Sequence, residues 1–153
     1  MSSYQQHALE GASAVDLVVA LYDGMIRFLH SAGDAVDRGD VLARRAAVKR
    51  ALDIILHLQA RLRMDVGGKP AQVLSEFYAS IFAQILQASQ TASRSKFDHA
   101  IGCVRNVREA WKHVARDFNS GESADYFGAA RPSPALGGLK ADTRDTEAAR
   151  WMA

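Results

Sequence analysis

Apolar residues recur at intervals of three and four through four successive stretches of this 153-residue chain. This spacing places them on one face of an α-helix, because a helix turns once in about 3.6 residues. A β-strand would instead show strict apolar–polar alternation, and no stretch of the chain does. Only Pro70 among the three prolines precedes residue 130, so little in the body of the chain interrupts a helix. The sequence therefore predicts an all-α fold.

The four stretches predict helices at about residues 14–38, 41–64, 70–92 and 96–118. The connections between them are short, which is typical of an antiparallel four-helix bundle. We expect residues 1–119 to form this bundle domain. Within the domain, a short N-terminal cap segment precedes the first helix. After Asn119 the composition changes to glycine, proline and polar residues, which predicts a flexible or loosely docked tail at 120–153.

Residues with capping chemistry stand at the predicted helix starts. Two of these sites fit a capping box, in which the serine hydroxyl accepts a hydrogen bond from a free backbone N–H. They are Ser13 with Asp16 and Ser95 with Asp98. Asp40 is a plausible N-cap of the second helix. The predicted ends fall at glycines, which adopt a left-handed turn without a steric penalty: Gly39, Gly67 and Gly68.

The apolar faces of the first and third helices are wider than bundle packing requires. Val18, Val19 and Tyr22 widen the first face, and Phe77 and Phe82 widen the third. We expect apolar surface left over after packing to form a groove for a partner helix. The predicted core stripes are Leu17, Leu21, Met25, Phe28, Ala32 and Val36; Ala47, Ala51, Ile55, Leu58 and Leu62; Leu74, Tyr78, Ile81, Ile85 and Ala88; and Phe97, Ile101, Val104, Trp111, Ala115 and Phe118.

Charge and cysteine content exclude several classes of protein. A formal net charge of +2 is too small to indicate nucleic-acid binding. We interpret the basic residues of the second helix, Arg44, Arg45, Lys49 and Arg50, as a solvated face. The single cysteine, Cys103, lies among apolar residues and predicts a buried structural thiol. There is no secretory signal and no apolar run of about 18 residues, so we expect a cytoplasmic protein without membrane insertion.

The chain shows little that resembles catalytic chemistry. It has no phosphate-binding loop, no paired-cysteine motif and no Glu-x-x-His step, so we expect no cofactor and no metal. Asp53 and His57 share a helix face, but we interpret them as an ordinary surface pair. A histidine phosphotransfer domain is a distant alternative, since His30 precedes Gly33 by three residues. That family has a lysine before the glycine, and no lysine lies near His30.

Several short segments carry a resemblance to a known family. Their order and spacing are similar to those of the flagellar secretion chaperones, the FliS family, over about Tyr4 to Asp117. Ala14 stands where that family usually has proline, and the tail from Ser120 matches nothing in it. The matching segments are Tyr4-Gln5-Gln6, Ala12-Ser13, the octapeptide Leu21–Phe28, Gly67-Gly68, Leu74–Tyr78 and Val107–Trp111.

The resemblance implies a cytosolic export chaperone that is not an enzyme. The implied partner is the disordered C-terminal segment of flagellin, which the chaperone keeps from polymerising and delivers to the flagellar type III export apparatus. The cytosolic face of the export gate is a second implied partner. An alternative within the same fold is a regulatory module that binds an anti-sigma factor or an assembly regulator.

The expected partner-binding residues lie at the start of the chain and in the first helix. Gly24 permits close backbone approach, and Asp23 is unusual within a helix that only fills a core. By the resemblance, Tyr4 and Leu9 fold back over the groove until flagellin displaces them. The full predicted set is Tyr4, Leu9, Leu17, Leu21, Tyr22, Asp23, Gly24, Met25 and Phe28.

Overall fold

The computed structural model describes residues 3–62 and 64–119, with side chains at 14–62, 67–114 and 116. The described residues form four α-helices and contain no strand, so the all-α helical bundle is confirmed. The predicted tail, 120–153, lies outside the described residues. The helices are α1 (Ser3–Arg38), α2 (Val41–Arg61), α3 (Met64–Gln90) and α4 (Arg94–Asn119).

Helix α1 begins at Ser3, so the predicted start near Ala14 is wrong. Ser13 lies inside the helix and does not cap it. The preceding segment is rich in Gln, Ala, Leu and Glu, which all have high helix propensity, and no proline marks an entry point. The expected N-terminal cap segment is therefore continuous with α1.

The junction between α1 and α2 follows the prediction. Gly39 adopts a left-handed φ of 68°. Its N–H donates to the Val36 carbonyl at 3.0 Å, and the Asp40 N–H donates to the Ala35 carbonyl at 2.9 Å. These two bonds form a Schellman motif. Asp40 Oδ1 accepts the Ala43 N–H at 3.0 Å, which confirms Asp40 as the N-cap of α2.

The prediction that Gly67 and Gly68 end α2 is wrong, because α2 ends at Arg61 and the glycine pair lies within α3. Gly68 has φ 55° and ψ −138°, which no helical residue adopts. The regular part of α3 therefore follows Gly68, with Pro70 in its first turn, where its missing N–H costs no hydrogen bond. Helix α2 itself ends at Arg61, somewhat before the predicted Met64.

The turn between α3 and α4 repeats the Schellman pattern, with Ala92 in the left-handed position at φ 47°. Ser93 Oγ then accepts the Lys96 N–H at 3.2 Å. Ser93 is therefore the N-cap of α4, and the predicted cap at Ser95 with Asp98 is wrong. The turn that ends α3 therefore places the N-cap of α4 two residues earlier than the Ser-x-x-Asp pattern predicts.

The chain divides into two compact units, and the larger share of the core lies in one of them. This main unit comprises residues 20–60 and 74–106 and contains parts of all four helices. Within it α1 and α2 run antiparallel. Gly24 of α1 lies near Ile54 of α2. Phe28, one turn further along α1, lies under Arg50, which is one turn before Ile54 on α2. Its largest fully buried side chains are Tyr22, Met25, Leu29, Leu58, Tyr78, Ile81, Ile85 and Phe97.

The other unit comprises residues 1–19, 61–73 and 107–153. Its described core includes Trp111, the largest of the fully buried side chains. The remaining buried apolar residues of this unit are Val15, Val18, Leu62, Ala71 and Val114.

The buried faces of α2, α3 and α4 are those predicted, over the side chains that the structure describes. The buried face of α1 is rotated from its predicted stripe. Leu17 is exposed, and Leu21, Phe28 and Val36 are only half-buried. Helix α1 has two neighbouring apolar stripes, and only packing decides which one faces inward. Its buried residues are Val15, Val18, Tyr22, Met25, Leu29, Ala32 and Ala35.

Candidate partner-binding surface

The octapeptide Leu21–Phe28 contributes mainly to the core. Tyr22 and Met25 are both 0% exposed. The hydroxyls of Tyr22 and Tyr78 share a hydrogen bond of 2.8 Å, and their rings meet edge to face at 6.3 Å. This arrangement satisfies the polar end of two large buried aromatic residues, which would otherwise destabilise the core.

The Tyr78 phenol is held in its neutral form. Burial raises its pKa well above the ordinary value of 10, and the hydrogen bond with Tyr22 lowers it by a smaller amount. Removal from water disfavours the phenolate more than one neutral donor can stabilise it. Tyr78 therefore acts as a structural hydrogen-bonding residue at neutral pH.

The other residues of the octapeptide occupy the edge of the same core. Gly24 is buried, and a Cβ there would lie 3.3 Å from Ile54 Cδ1, so glycine permits the close approach of α1 to α2. The Arg50 guanidinium lies 5.6 Å from the centre of the half-buried Phe28 ring. Leu21 and Asp23 are also half-buried.

These positions change the predicted partner-binding set. A partner cannot reach Tyr22, Gly24 or Met25 in this structure, so their assignment to an accessible groove is not supported. The apolar stripe that contains them is the one that faces the core. Leu17, at 39% exposure, is accessible. The side chains of Tyr4 and Leu9 lie outside the described residues.

A more accessible apolar strip lies where α3 borders α2. The Gln59 side chain donates to Ser75 Oγ at 2.6 Å, which shows that Ser75 faces α2. Ala79, Phe82 and Leu86 follow Ser75 at helical spacing and share its face of α3. Leu86 is 38% exposed, Ala79 is exposed and Phe82 is half-buried.

Helix α2 contributes a matching stripe on its side of this boundary. Leu56 and Leu52 precede Gln59 by three and seven residues, so they share the face that meets Ser75. Leu56 is 56% exposed and Leu52 is half-buried. We call the surface formed by the two stripes the α2–α3 seam; it consists of Leu52, Leu56, Ala79, Phe82 and Leu86.

Sequence reasoning named Phe82 from this surface, as part of the wide third face, but did not identify the surface itself. A clearer indication was available, because no charged residue stands between Glu76 and Arg94. A helix face that only meets water normally carries charges. The outward positions of α3 are instead alanine, serine, leucine and glutamine, which suits contact with another chain.

The basic residues of α2 are largely solvated, as predicted. Arg45, Lys49 and Arg50 are exposed, whereas Arg44 is half-buried. Lys49 Nζ pairs with Asp53 Oδ2 at 2.9 Å on the helix surface.

The geometry around His30 does not favour phosphoryl transfer. His30 is exposed, but Arg94 lies over Gly33, where a Cβ would come within 2.7 Å of its side chain. The Arg94 guanidinium donates to Asp34 at 3.0 Å and to Asp37 at 2.6 Å. Two carboxylates therefore already bind the cation that would have to stabilise the charge of a phosphoryl group transferred to His30.

Cys103 is half-buried, so the expectation of a fully buried thiol is wrong. It lies beside the buried stripe of α4, and its Sγ is 3.7 Å from His99 Nε2. In the part of the chain that the structure describes, no three His, Cys, Asp or Glu residues come together as metal ligands. No helix within those residues combines the length and apolarity needed to cross a membrane.

Comparison with known proteins identifies the family. The family model "Flagellar protein FliS" matches residues 1–117. The flagellar secretion chaperone FliS of Salmonella typhimurium is 32% identical over 119 residues, which cover 77% of this chain and 88% of the relative. The FliS chaperone of Vibrio cholerae is 28% identical over 76% of this chain and 86% of its own length. That of Bacillus subtilis is 23% identical over 74% and 84%. With its helices, its buried octapeptide and this match over most of its length, the chain belongs to the FliS family of flagellar secretion chaperones.

Proposed function

We propose that this chain is a cytoplasmic export chaperone that binds the C-terminal segment of flagellin as an amphipathic helix along the α2–α3 seam. Binding keeps that segment from polymerising and lets the complex pass to the flagellar type III export apparatus, with the cytosolic face of the export gate as the receiving partner. Family membership supports the class of cargo. The seam supports the mode of binding.

The observation that carries the proposal is the exposure of leucine on an uncharged surface. Leu56 and Leu86 are 56% and 38% exposed on faces that border each other across α2 and α3. Covering such side chains removes apolar area from water, at roughly 25 cal/mol per Å². An amphipathic helix laid between two parallel stripes places its apolar face in that position.

The extent of the seam also fits a helical partner. From Leu52 to Gln59, α2 advances by about 10 Å, since each residue adds about 1.5 Å. A partner helix that follows the seam therefore presents at least two turns to it. Ordering a disordered segment costs roughly 2–5 kcal/mol or more, so the remaining cargo must make further contacts.

The test is titration of a flagellin C-terminal peptide into the full chain and two variants, Leu56→Ser and Leu86→Ser. We expect each variant to weaken binding about tenfold, the loss that follows when about 1.4 kcal/mol of burial disappears. His57→Ser is the control, because His57 is exposed on the same helix but lies about 100° around it from Leu56, away from the seam face. Unchanged affinity in both leucine variants, with unchanged circular dichroism, would show that cargo binds elsewhere.

A further inference from the structure

The α2 stripe of the seam continues beyond its leucines into basic residues. Lys49 and Arg45 precede Leu52 by three and seven residues, so they share its helix face, and both are exposed. One turn further, Leu42 lies on the same face and is 79% exposed. In order along the helix, the stripe is thus apolar, basic and again apolar.

The charge around this stripe is predominantly positive. Helix α2 contains one acidic residue, Asp53, and five basic residues. The bordering helix α3 adds no charge along the seam, since none occurs between Glu76 and Arg94. The basic residues of α2 are Arg44, Arg45, Lys49, Arg50 and Arg61.

The two cations on the stripe are accessible to a partner. Lys49 pairs with Asp53, but the two side chains remain 77% and 57% exposed, and such surface pairs contribute little to stability. A carboxylate of a bound helix would compete with Asp53 at little cost. Arg45 offers a planar guanidinium that can bind a carboxylate through two parallel hydrogen bonds.

We infer that the helix bound along the α2–α3 seam carries carboxylates within its apolar stripe, about seven residues from the side chains that cover Leu52 and Leu56. These carboxylates pair with Arg45 and Lys49, and an apolar residue beyond them covers Leu42. This inference rests on the proposed function, and it adds the chemistry and the orientation of the cargo. A helix with lysine at those positions is rejected by like-charge repulsion.

The span of the pattern sets the length of the cargo helix. From Leu42 to Leu56, α2 advances by about 21 Å at about 1.5 Å per residue. The recognised segment is therefore an amphipathic helix of about 14 residues or more. The leucines set its direction along the seam, because Leu52 and Leu56 lie on one side of the two cations and Leu42 alone lies on the other.

The test uses two synthetic helical peptides that share one leucine stripe. One has glutamate at the two inferred positions, and the other has lysine there. We expect the chain to bind the glutamate peptide about tenfold more tightly at low salt, with the preference shrinking as screening increases. The charge-reversed variant Arg45→Glu/Lys49→Glu should prefer the lysine peptide instead. Arg105→Glu, at an exposed position on α4, is the control and should keep the original preference.

Each result separates the inference from the function on which it rests. Equal affinity for the two peptides, or a preference that survives the double reversal, overturns the inference. If Leu56→Ser weakens both peptides in that case, the seam still binds helices and only the charge pairing is wrong. If Leu56→Ser leaves both affinities unchanged, the seam is not the cargo site, and the proposed mode of binding is wrong as well.

Discussion

The octapeptide Leu21–Phe28 and the α2–α3 seam both consist of apolar stretches of helix. Packing buries most of the first and leaves much of the second exposed to water. Tyr22 and Met25 of the octapeptide are 0% exposed, whereas Leu56 of the seam is 56% exposed. The segment that most resembles the family therefore specifies the interior of the bundle. The surface that can receive a partner consists of residues that depart from the main apolar stripes.

This difference separates two physical roles. A core residue contributes to folding whether or not a partner is present, so its loss should lower stability. A seam residue remains partly in water until cargo covers it, so its loss should lower affinity and leave folding almost unchanged. Variants of the two regions test whether core residues affect stability and seam residues affect affinity, and they measure the size of each effect.

The largest expected effect comes from truncation in the octapeptide. Met25→Ala should lower the free energy of unfolding by about 2–5 kcal/mol, because it leaves a cavity in a fully buried site. Leu56→Ala, the matched truncation on the seam, should cost less than about 1 kcal/mol. Urea denaturation measures both values. Similar losses in the two variants would show that the regions do not differ in the way proposed.

The Tyr22–Tyr78 pair predicts a smaller, pH-dependent effect. The unfolded Tyr78 phenol ionises at its ordinary pKa of 10, whereas the folded state raises that pKa and keeps the proton. The stabilisation is therefore complete below pH 10 and declines as the pH rises above it, by about 1.4 kcal/mol per pH unit. Thermal melting between pH 8 and about 11 should show a steeper decline for the natural chain than for Tyr22→Phe/Tyr78→Phe. Parallel declines would mean that the buried pair does not titrate as described.

The smallest effect is expected at the turn between α3 and α4. Ala92 has a left-handed φ of 47°, which disfavours a residue with a Cβ. Ala92→Gly should therefore stabilise the chain by about 1 kcal/mol. Gly39→Ala is the converse control, since at φ 68° an added Cβ would meet no atom within 4 Å, and it should destabilise the chain by a similar amount. Neither substitution should alter cargo affinity. An altered affinity would show that the turns influence the seam.

The fold was largely predictable because helix formation depends on local spacing. The buried faces of α2 and α3 follow directly from residues three and four apart, and Asp40 caps α2 as its chemistry indicates. The start of α1 was not predictable in the same way. Ser13 fits an N-cap, but it is also tolerated inside a helix when the preceding residues are strong helix formers.

The binding surface was less predictable because it depends on which apolar residues remain uncovered. Sequence spacing gave α1 two neighbouring stripes and gave no means of choosing between them. The choice buried Tyr22 and Met25 and left Leu17 exposed. On α2, Leu56 lies beside the predicted core stripe, and only its position at the border with α3 indicates a role.

By itself, the sequence determined four amphipathic helices, most of their ends and the family, since these depend on residues close together in the chain or on their order. Tertiary structure decided which face of α1 is buried and which leucines of α2 and α3 stay in water. The physical reason is that burial is a property of pairs of helices. A stripe becomes core or binding surface only when a neighbouring helix covers it or leaves it open.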